Sequence, residues 1–114
     1  MTDCLFCRMA SGEIPVNRVL EFDDLLAFHD INPQAPHHVL IIPRQHVASL
    51  EGLEPAHRDL AANLLLAAQQ VARQEGFAEA GYRTVINTGR DGGQEIDHLH
   101  MHVLAGRRLR WPPG

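Results

Sequence analysis

Apolar and polar positions alternate most strictly in the segment of residues 98–104. Histidine occupies positions 98, 100 and 102, while leucine, methionine and valine occupy positions 99, 101 and 103. Alternation predicts a half-buried β-strand, because successive side chains of a strand point to opposite faces. We therefore expect one face of this strand to enter a core and the other to carry three imidazoles about 6.6 Å apart.

Four further segments have short apolar runs bounded by turn residues, which predict strands. They are residues 16–21, 25–30, 37–42 and 82–87. Asp23 and Asp24 predict the turn of a hairpin between the first two. Pro43 ends the third, because proline has no N–H for a strand ladder.

Between residues 54 and 75 the apolar period lengthens to that of an amphipathic helix. Its apolar stripe consists of Leu60, Leu64, Ala67, Ala68 and Val71. Pro55 suits the first turn and Gly76 the end of this helix. Leu65 and Leu66 widen the stripe, which indicates packing on a partner as well as on the sheet.

A short N-terminal helix is predicted from Cys4 to Ser11, and Gly12 and Pro15 break it. With the long helix and the strands, this predicts an α+β fold with a mainly antiparallel five-stranded sheet. A chain of 114 residues suits one domain that buries its own core, so we expect a single domain over residues 1–114.

Composition and charge narrow the function. The chain is 45% hydrophobic and 21% charged, with a formal net charge of −4, which argues against binding to nucleic acid. It has no run of about eighteen apolar residues, which predicts no association with a membrane. The first ten residues lack the pattern of a secretory signal, so we expect a cytoplasmic protein. A single nucleotide held by local groups is compatible with this charge.

The three alternating histidines have two competing chemical uses. Neutral imidazoles chelate metals, and they also act as nucleophiles and as acids or bases near neutral pH. The glycine-rich loop of residues 88–94 precedes them. Such a loop is commonly a plain connection, but glycines also let backbone N–H groups converge on a phosphate.

Both cysteines of the chain lie in the motif Cys4-x-x-Cys7. They could be a structural pair of thiols, a redox pair or half of a zinc site. A redox pair would normally lie inside a domain, at a junction between a strand and a helix. Zinc needs four ligands, so the third interpretation requires two histidines from elsewhere.

Ordered motifs connect these features to a known family. The three histidines are followed by Val103 and Leu104, which completes the pattern His-φ-His-φ-His-φ-φ, where φ is apolar. The chain resembles the Hint branch of the histidine triad (HIT) superfamily over nearly its whole length, through this pattern and the motifs Phe28-His29-Asp30-Ile31, Pro33-Gln34-Ala35-Pro36, Ile42-Pro43-Arg44-Gln45-His46, Asp91-Gly92-Gly93-Gln94 and Trp111-Pro112-Pro113-Gly114.

The resemblance implies a HIT-like fold and a homodimer whose two sheets join into one. It also implies hydrolysis of purine nucleoside 5′-phosphoramidates, such as those of adenosine, to the nucleoside monophosphate and an amine. His100 would be the nucleophile that forms a nucleotidyl-histidine, and His102 would donate a proton to the amine. His38 would orient His100, and His98 completes the catalytic set.

The resemblance further implies the residues that bind the nucleotide and a metal. Asp30 would hold the ribose hydroxyls. The other nucleotide-binding residues are Leu5, Phe6, Met9, Phe28, His29, Ile31, Asn87, Gly93, Gln94, Glu95, Ile96 and, acting on the partner subunit's site, Trp111. A structural zinc ion would be held by Cys4, Cys7, His46 and His98, while the chemistry itself requires no cofactor.

Two residues depart from the commonest pattern of this family. Glu95 stands where many members have a serine at the phosphate, and Asp97 where an aromatic residue is common. A carboxylate at position 95 would repel an anion unless it points away or is protonated. These changes are expected to alter the preference for the leaving group without abolishing the reaction.

Three alternatives stay open. One is a dinucleoside polyphosphate hydrolase or nucleotidyltransferase, which would use the same triad chemistry. Another is a nucleotide-binding interaction module with weak catalysis. The third is a metallohydrolase with its metal on the triad, although no carboxylate is obvious near the histidine face in the sequence.

Overall fold

The computed structural model describes residues 3–114, and over these residues it has two α-helices and five β-strands. The helices are α1 (Leu5–Ala10) and α2 (Arg58–Glu75). The strands are β1 (Arg18–Glu21), β2 (Leu25–His29), β3 (His37–Pro43), β4 (Arg83–Val85) and β5 (Met101–Ala105). Two 3₁₀ turns, Leu50–Gly52 and Pro55–His57, precede α2.

The strands form one sheet in the order β1-β2-β3-β5-β4, and each neighbouring pair is antiparallel. The predicted α+β class with a five-stranded antiparallel sheet, a long helix and a short N-terminal helix is therefore confirmed. None of the helices in residues 3–114 is both long and apolar enough to cross a membrane.

Both faces of the sheet are covered, which explains the continuous apolar runs of β2 and β3. On one face, Val39 and Ile41 pack with residues of α2 such as Leu64 and Val71. On the other face, alternate positions such as Leu26, Phe28, Leu40 and Ile42 pack with Phe6 of α1. Because side chains alternate along a strand, His38 and His102 share the face that α1 covers only in part.

The long helix begins later than its apolar period predicts. Pro55 opens a 3₁₀ turn, and α2 begins at Arg58. Within that turn the backbone N–H of Glu54 donates to His57 Nδ1. The helix ends as predicted, because Gly76 adopts a left-handed conformation with φ of 83°.

The strand predicted over residues 98–104 is wrong at its beginning, because β5 starts at Met101. The backbone N–H of Leu99 donates instead to the carbonyl of Val47, outside the sheet. His98 Nε2 lies 2.8 Å from the carbonyl oxygen of Pro43. These bonds turn the chain away from the sheet ladder, although Leu99 still packs in the core.

Three other strands are shorter than predicted. β1 begins at Arg18 rather than at residue 16. On the N-terminal side of Arg18, its pairing with β2 continues only through the bond from the His29 N–H to the Asn17 carbonyl. β2 ends at His29, and β4 is limited to Arg83–Val85.

Candidate active site

A cavity of about 690 Å³ opens on the sheet face opposite α2. Its volume lies in the range of small-molecule and cofactor sites. It is lined by the following residues that the sequence predicted: Leu5, Phe6, Met9, Phe28, His29, Asp30, Ile31, His38, Asn87, Gly93, Glu95, Ile96, His100 and His102. The fold therefore gathers the N-terminal helix, three strands and the glycine-rich loop around one space.

His100 is buried, and its hydrogen bonds define the nitrogen that it presents to the cavity. Its Nδ1 lies 2.7 Å from the carbonyl oxygen of His98. A carbonyl can only accept, so Nδ1 carries the hydrogen and the neutral ring keeps its lone pair on Nε2. Phe6 packs against the ring, with centroids 5.1 Å apart and the planes at 70°. The ring is thus held in place with one nucleophilic nitrogen.

A chain of hydrogen bonds also fixes the tautomers of His38 and His102. The backbone N–H of Gln34 donates to His38 Nδ1 at 3.0 Å, so the neutral ring carries its hydrogen on Nε2. His38 Nε2 lies 2.8 Å from His102 Nδ1 and donates to it. His102 must then carry its hydrogen on Nε2. The site accordingly combines a lone pair on His100 with an N–H on His102.

Burial keeps His38 and His102 neutral. Burial, together with the nearby His100 and His38, lowers the pKa of His102 to about 4, while Asp30 acts in the opposite direction. Burial also lowers the pKa of His38, again against the charge of Asp30. Without a ligand, both imidazoles are therefore uncharged at neutral pH.

A carboxylate that is not obvious from the sequence lies beside these histidines. Asp30 Oδ2 is 3.5 Å from His38 Nε2, and Asp30, His38 and His102 are close enough together to hold a metal. Two nitrogen ligands of a tetrahedral zinc ion would stand roughly 3.3 Å apart. The 2.8 Å between His38 and His102 instead fits an N–H···N bond, so the geometry favours a proton relay.

The four predicted metal ligands come together at a second centre. His98 Nδ1 lies 3.2 Å from Cys4 Sγ, 3.5 Å from Cys7 Sγ and 3.2 Å from His46 Nδ1. Cys7 Sγ is 3.3 Å from His46 Nδ1. Donors around a tetrahedral zinc ion stand roughly 3.3 Å apart for two nitrogens and 3.5 Å for nitrogen and sulfur. The cluster thus has the dimensions that a zinc ion requires.

Protonation at this centre agrees with metal ligation. His98 Nε2 donates to the carbonyl oxygen of Pro43, which leaves the lone pair on Nδ1, the atom that faces the thiols. Burial lowers the pKa of His98 and so favours this neutral form. Burial, with further effects of Cys4, raises the pKa of Cys7 to about 11. A cation that binds here must therefore displace the thiol proton.

Phe6 connects the two centres. It lies between Cys4 and Cys7 in the chain and is 2% exposed. Its ring stands edge-on to His98 at 5.8 Å, in addition to its contact with His100. The segment that carries the two thiols therefore also forms a wall of the cavity.

The glycine-rich loop is closed by its own backbone. The N–H of Gly93 donates to Arg90, and the N–H of Gln94 donates to Gly89. A Cβ at Gly92 would collide with the backbone of Thr88, and Gly93 has φ of +77°, so both positions require glycine. Glu95 lines the cavity, and its backbone N–H takes part in neither of these two bonds.

Two of the predicted nucleotide-binding residues, Gln94 and Trp111, do not line the cavity, and a third, His29, lines it but directs its imidazole towards α2. The side chain of Gln94 supports the loop by donating to the carbonyls of Ala48 and Ile96. The imidazole of His29 lies 3.8 Å from Glu75 of α2, on the opposite face of the sheet. Trp111 is 83% exposed and does not line the cavity of its own chain.

The sequence interpretation missed several residues that line the cavity. They are Pro15, Val16, Asn17, Asn32, Gln34 and Leu40. Period-two alternation could have identified Leu40, which lies two positions after His38 on β3. The others lie in connecting segments, where no periodic pattern indicates the direction of a side chain.

Comparisons with known proteins agree with this architecture. The HIT domain profile matches residues 11–109. A protein of Arabidopsis thaliana named adenylylsulfatase HINT1 is 46% identical over 112 residues, covering 96% of this chain and 76% of that protein. A 14 kDa zinc-binding protein of Brassica juncea is 46% identical over 114 residues, covering 98% and 100% of the two chains. A HIT family hydrolase from Legionella pneumophila Philadelphia 1 superposes with a TM-score of 0.96, at 49% identity and with 98% and 100% coverage.

Proposed function

The chain belongs to the HIT domain family, and we propose that it hydrolyses purine nucleoside 5′-phosphoramidates, such as those of adenosine. The products are the nucleoside monophosphate and an amine, formed through a nucleotidyl-histidine at His100. One observation carries the proposal: His100 keeps its lone pair on Nε2, and His102, whose ring centroid is 5.1 Å away, carries an N–H, with both rings lining the same cavity.

In the first step, Nε2 of His100 attacks phosphorus, and the P–N bond to the amine breaks. The imidazole of the intermediate is positively charged, and its Nδ1–H still donates to the carbonyl of His98. That bond becomes charge-assisted and stabilises the intermediate. Covalent catalysis thereby divides a difficult displacement into two easier ones.

The departing amine needs a proton, because it leaves poorly as an anion. A bound phosphate places negative charge beside His102 and raises its pKa from the low value of the empty site. His102 can then take up a proton on Nδ1 as the Nε2–H of His38 turns from that atom to Asp30 Oδ2, 3.5 Å away, and it delivers the proton on its Nε2 to the amine. Substrate binding therefore prepares the acid that the first step uses.

Water completes the cycle. After the amine has left, His102 is neutral and accepts a proton from a water molecule that attacks phosphorus. The bond between phosphorus and Nε2 of His100 breaks, and the nucleoside monophosphate is released. Both imidazoles return to their starting forms, so the chemistry requires no cofactor.

The nucleoside would occupy the part of the cavity between α1 and β2. Asp30, at the end of β2, would accept hydrogen bonds from the ribose hydroxyls. Phe28 and Ile31 would contact the base, and α1 would close its other side. The name of the Arabidopsis relative, adenylylsulfatase, supports an adenylyl group as the part of the substrate that is recognised.

We further propose a structural zinc ion at Cys4, Cys7, His46 and His98. The interatomic distances and the lone pair on His98 Nδ1 fit this ion, and the Brassica relative is named a zinc-binding protein. The ion would join the N-terminal segment to the segment that precedes β5. It would take no part in the bond-breaking steps.

A homodimer is the third part of the proposal. Leu65 and Leu66 of α2 are 63% and 52% exposed, and Trp111 is 83% exposed. Apolar side chains of this size support a contact with a second copy. The edge strand β4 would allow the two sheets to join. Sedimentation equilibrium should then give twice the chain mass of 12.7 kDa.

The decisive assay is release of AMP from adenosine 5′-phosphoramidate near neutral pH. We expect release by the wild type and its loss in His100→Ala, while His57→Gln, which alters an imidazole outside the cavity, keeps the activity. AMP binding is measured in parallel by calorimetry. Binding without release by the wild type would favour an interaction module, and equal release by His100→Ala would refute His100 as the nucleophile. Faster cleavage of a dinucleoside polyphosphate would favour the alternative hydrolase.

A further inference from the structure

We propose that Arg107 is a positioning residue that fixes the tautomers of His38 and His102 through the backbone of Gln34. Because it acts on the acid of the first step, this role of Arg107 rests on the proposed function. Arg107 lies outside the cavity and is connected to His102 by three successive hydrogen bonds.

The first bond joins Arg107 to the loop that follows β2. Its Nη2 donates to the carbonyl oxygen of Gln34 at 3.0 Å, and its Nε donates to the same oxygen at 3.3 Å. Two N–H groups of a rigid, charged fork on one oxygen restrict the direction of that carbonyl more than a single donor would. Arg107 thus holds the peptide group that follows Gln34.

The second and third bonds start at the other end of the same residue. The N–H of Gln34 donates to His38 Nδ1 at 3.0 Å, and His38 Nε2 lies 2.8 Å from His102 Nδ1. The Gln34 side chain donates to the Asn32 carbonyl, and the Asn32 N–H donates to Asp30 Oδ1. The loop is therefore a hydrogen-bonded unit that carries both the donor to His38 and the proposed ribose ligand.

The end of β5 places Arg107 over this loop. Ala105 pairs with His37, and Gly106 follows with φ of +95°. A Cβ at Gly106 would stand 2.6 Å from Pro36 Cβ, closer than packed atoms allow. The close approach of Gly106 to Pro36 brings the next side chain within reach of Gln34.

The consequence for catalysis follows from the two forms of a neutral imidazole. If the Gln34 N–H no longer points at Nδ1, His38 can carry its hydrogen on Nδ1 and accept on Nε2. His102 would then donate from Nδ1 and lose the hydrogen on Nε2. Displacement of one peptide group can therefore move the hydrogen from Nε2 to Nδ1 on both rings and remove the N–H that faces the substrate.

The test compares the full-length wild type with Arg107→Met and Arg107→Lys. Arg107→Met keeps a side chain of similar length without donors, and Arg107→Lys keeps the charge without the fork. Arg108→Met, at the exposed neighbouring arginine, is the matched control. Long-range ¹⁵N–¹H spectra of the ligand-free proteins report which ring nitrogen of His38 and His102 carries the hydrogen.

We expect the wild type and the control to show the hydrogen on Nε2 of both rings. Arg107→Met should show mixed tautomers and a kcat about tenfold lower, with the Kd for AMP within about twofold of the wild type. Arg107→Lys should lie between these limits. If Arg107 only stabilised the fold, the ring spectra of Arg107→Met would match those of the wild type.

Two results would overturn the role of Arg107: wild-type tautomers in a folded Arg107→Met, or mixed tautomers with an unchanged kcat. A failure of the proposed function is recognised separately, because the wild type would then release no AMP. In that case the ring spectra still decide whether Arg107 fixes the tautomers. Thermal unfolding of each variant shows whether it is folded at the temperature of the assay.

Discussion

Acidification should destabilise this protein through His102, an imidazole that the fold holds neutral. Burial, with the neighbouring His100 and His38, lowers its pKa from the ordinary value of 6.5 to about 4. As the pH falls through this window, the unfolded chain binds the proton first. The stabilising contribution of neutral His102 is therefore complete above pH 6.5 and is lost as the pH approaches the folded pKa.

The size of the loss follows from the two pKa values. Between about pH 7 and about pH 4.5, this single group removes roughly 2 kcal/mol from the free energy of unfolding. Burial also lowers the pKa of His38 and of His98, so their contributions have the same sign. The total acid sensitivity should accordingly exceed that of His102 alone.

Urea unfolding of the wild type and of His102→Gln at both pH values isolates the contribution of His102. The glutamine can still accept the hydrogen bond from His38, and it does not titrate. We expect the variant to lose roughly 2 kcal/mol less than the wild type over this interval, at equal metal content. An equal loss in the two proteins would refute the buried neutral state of His102, and titration of its ring protons by NMR gives an independent check.

Three further predictions concern the metal, the tail and the leaving group. Joint replacement of Cys4 and Cys7 by serine should abolish zinc binding, measured by elemental analysis, and lower the melting temperature by about 10 °C or more; unchanged metal content would contradict the zinc site. Deletion of residues 110–114 should change the preference among amine leaving groups more than the melting temperature, and equal loss of turnover for all substrates would argue against this. Glu95→Ser removes a negative charge from the cavity wall. It should therefore raise the ratio of kcat/KM for adenylyl sulfate to kcat/KM for a phosphoramidate whose amine leaving group is cationic, by about fivefold relative to the wild type. The exposed Asp97, which does not line the cavity, provides the control as Asp97→Asn, and an equal effect there would refute a local role of Glu95.

Much of the fold could be predicted because each element carries its pattern within its own sequence. The stripe of α2 and the apolar runs of β2 and β3 report which faces are buried, and the predicted sheet is confirmed. The beginning of β5 was wrong because the bonds of His98 and Leu99 reach residues about fifty positions away. Such bonds leave no periodic signal in the segment that makes them.

The candidate site was predictable as a set of residues but not as a set of orientations. Motifs selected most of the residues around the cavity, and their roles stay predictions until activity is measured. They could not show that Gln94 supports its loop or that His29 turns towards α2. The tautomers of His38 and His102 depend on a backbone N–H of Gln34, which no sequence motif specifies.

The six residues of α1 are too few to form a stable helix alone, so its structure depends on what holds it to the sheet. It is attached through Phe6 and through the thiols on either side, and the same helix encloses one side of the cavity. Metal and nucleotide would thus both stabilise one ordered state of this segment. If the ion raises the affinity for the nucleotide by some factor, thermodynamic reciprocity requires that the nucleotide raise the affinity for the ion by the same factor. The protein would then retain its metal most firmly when its substrate is abundant.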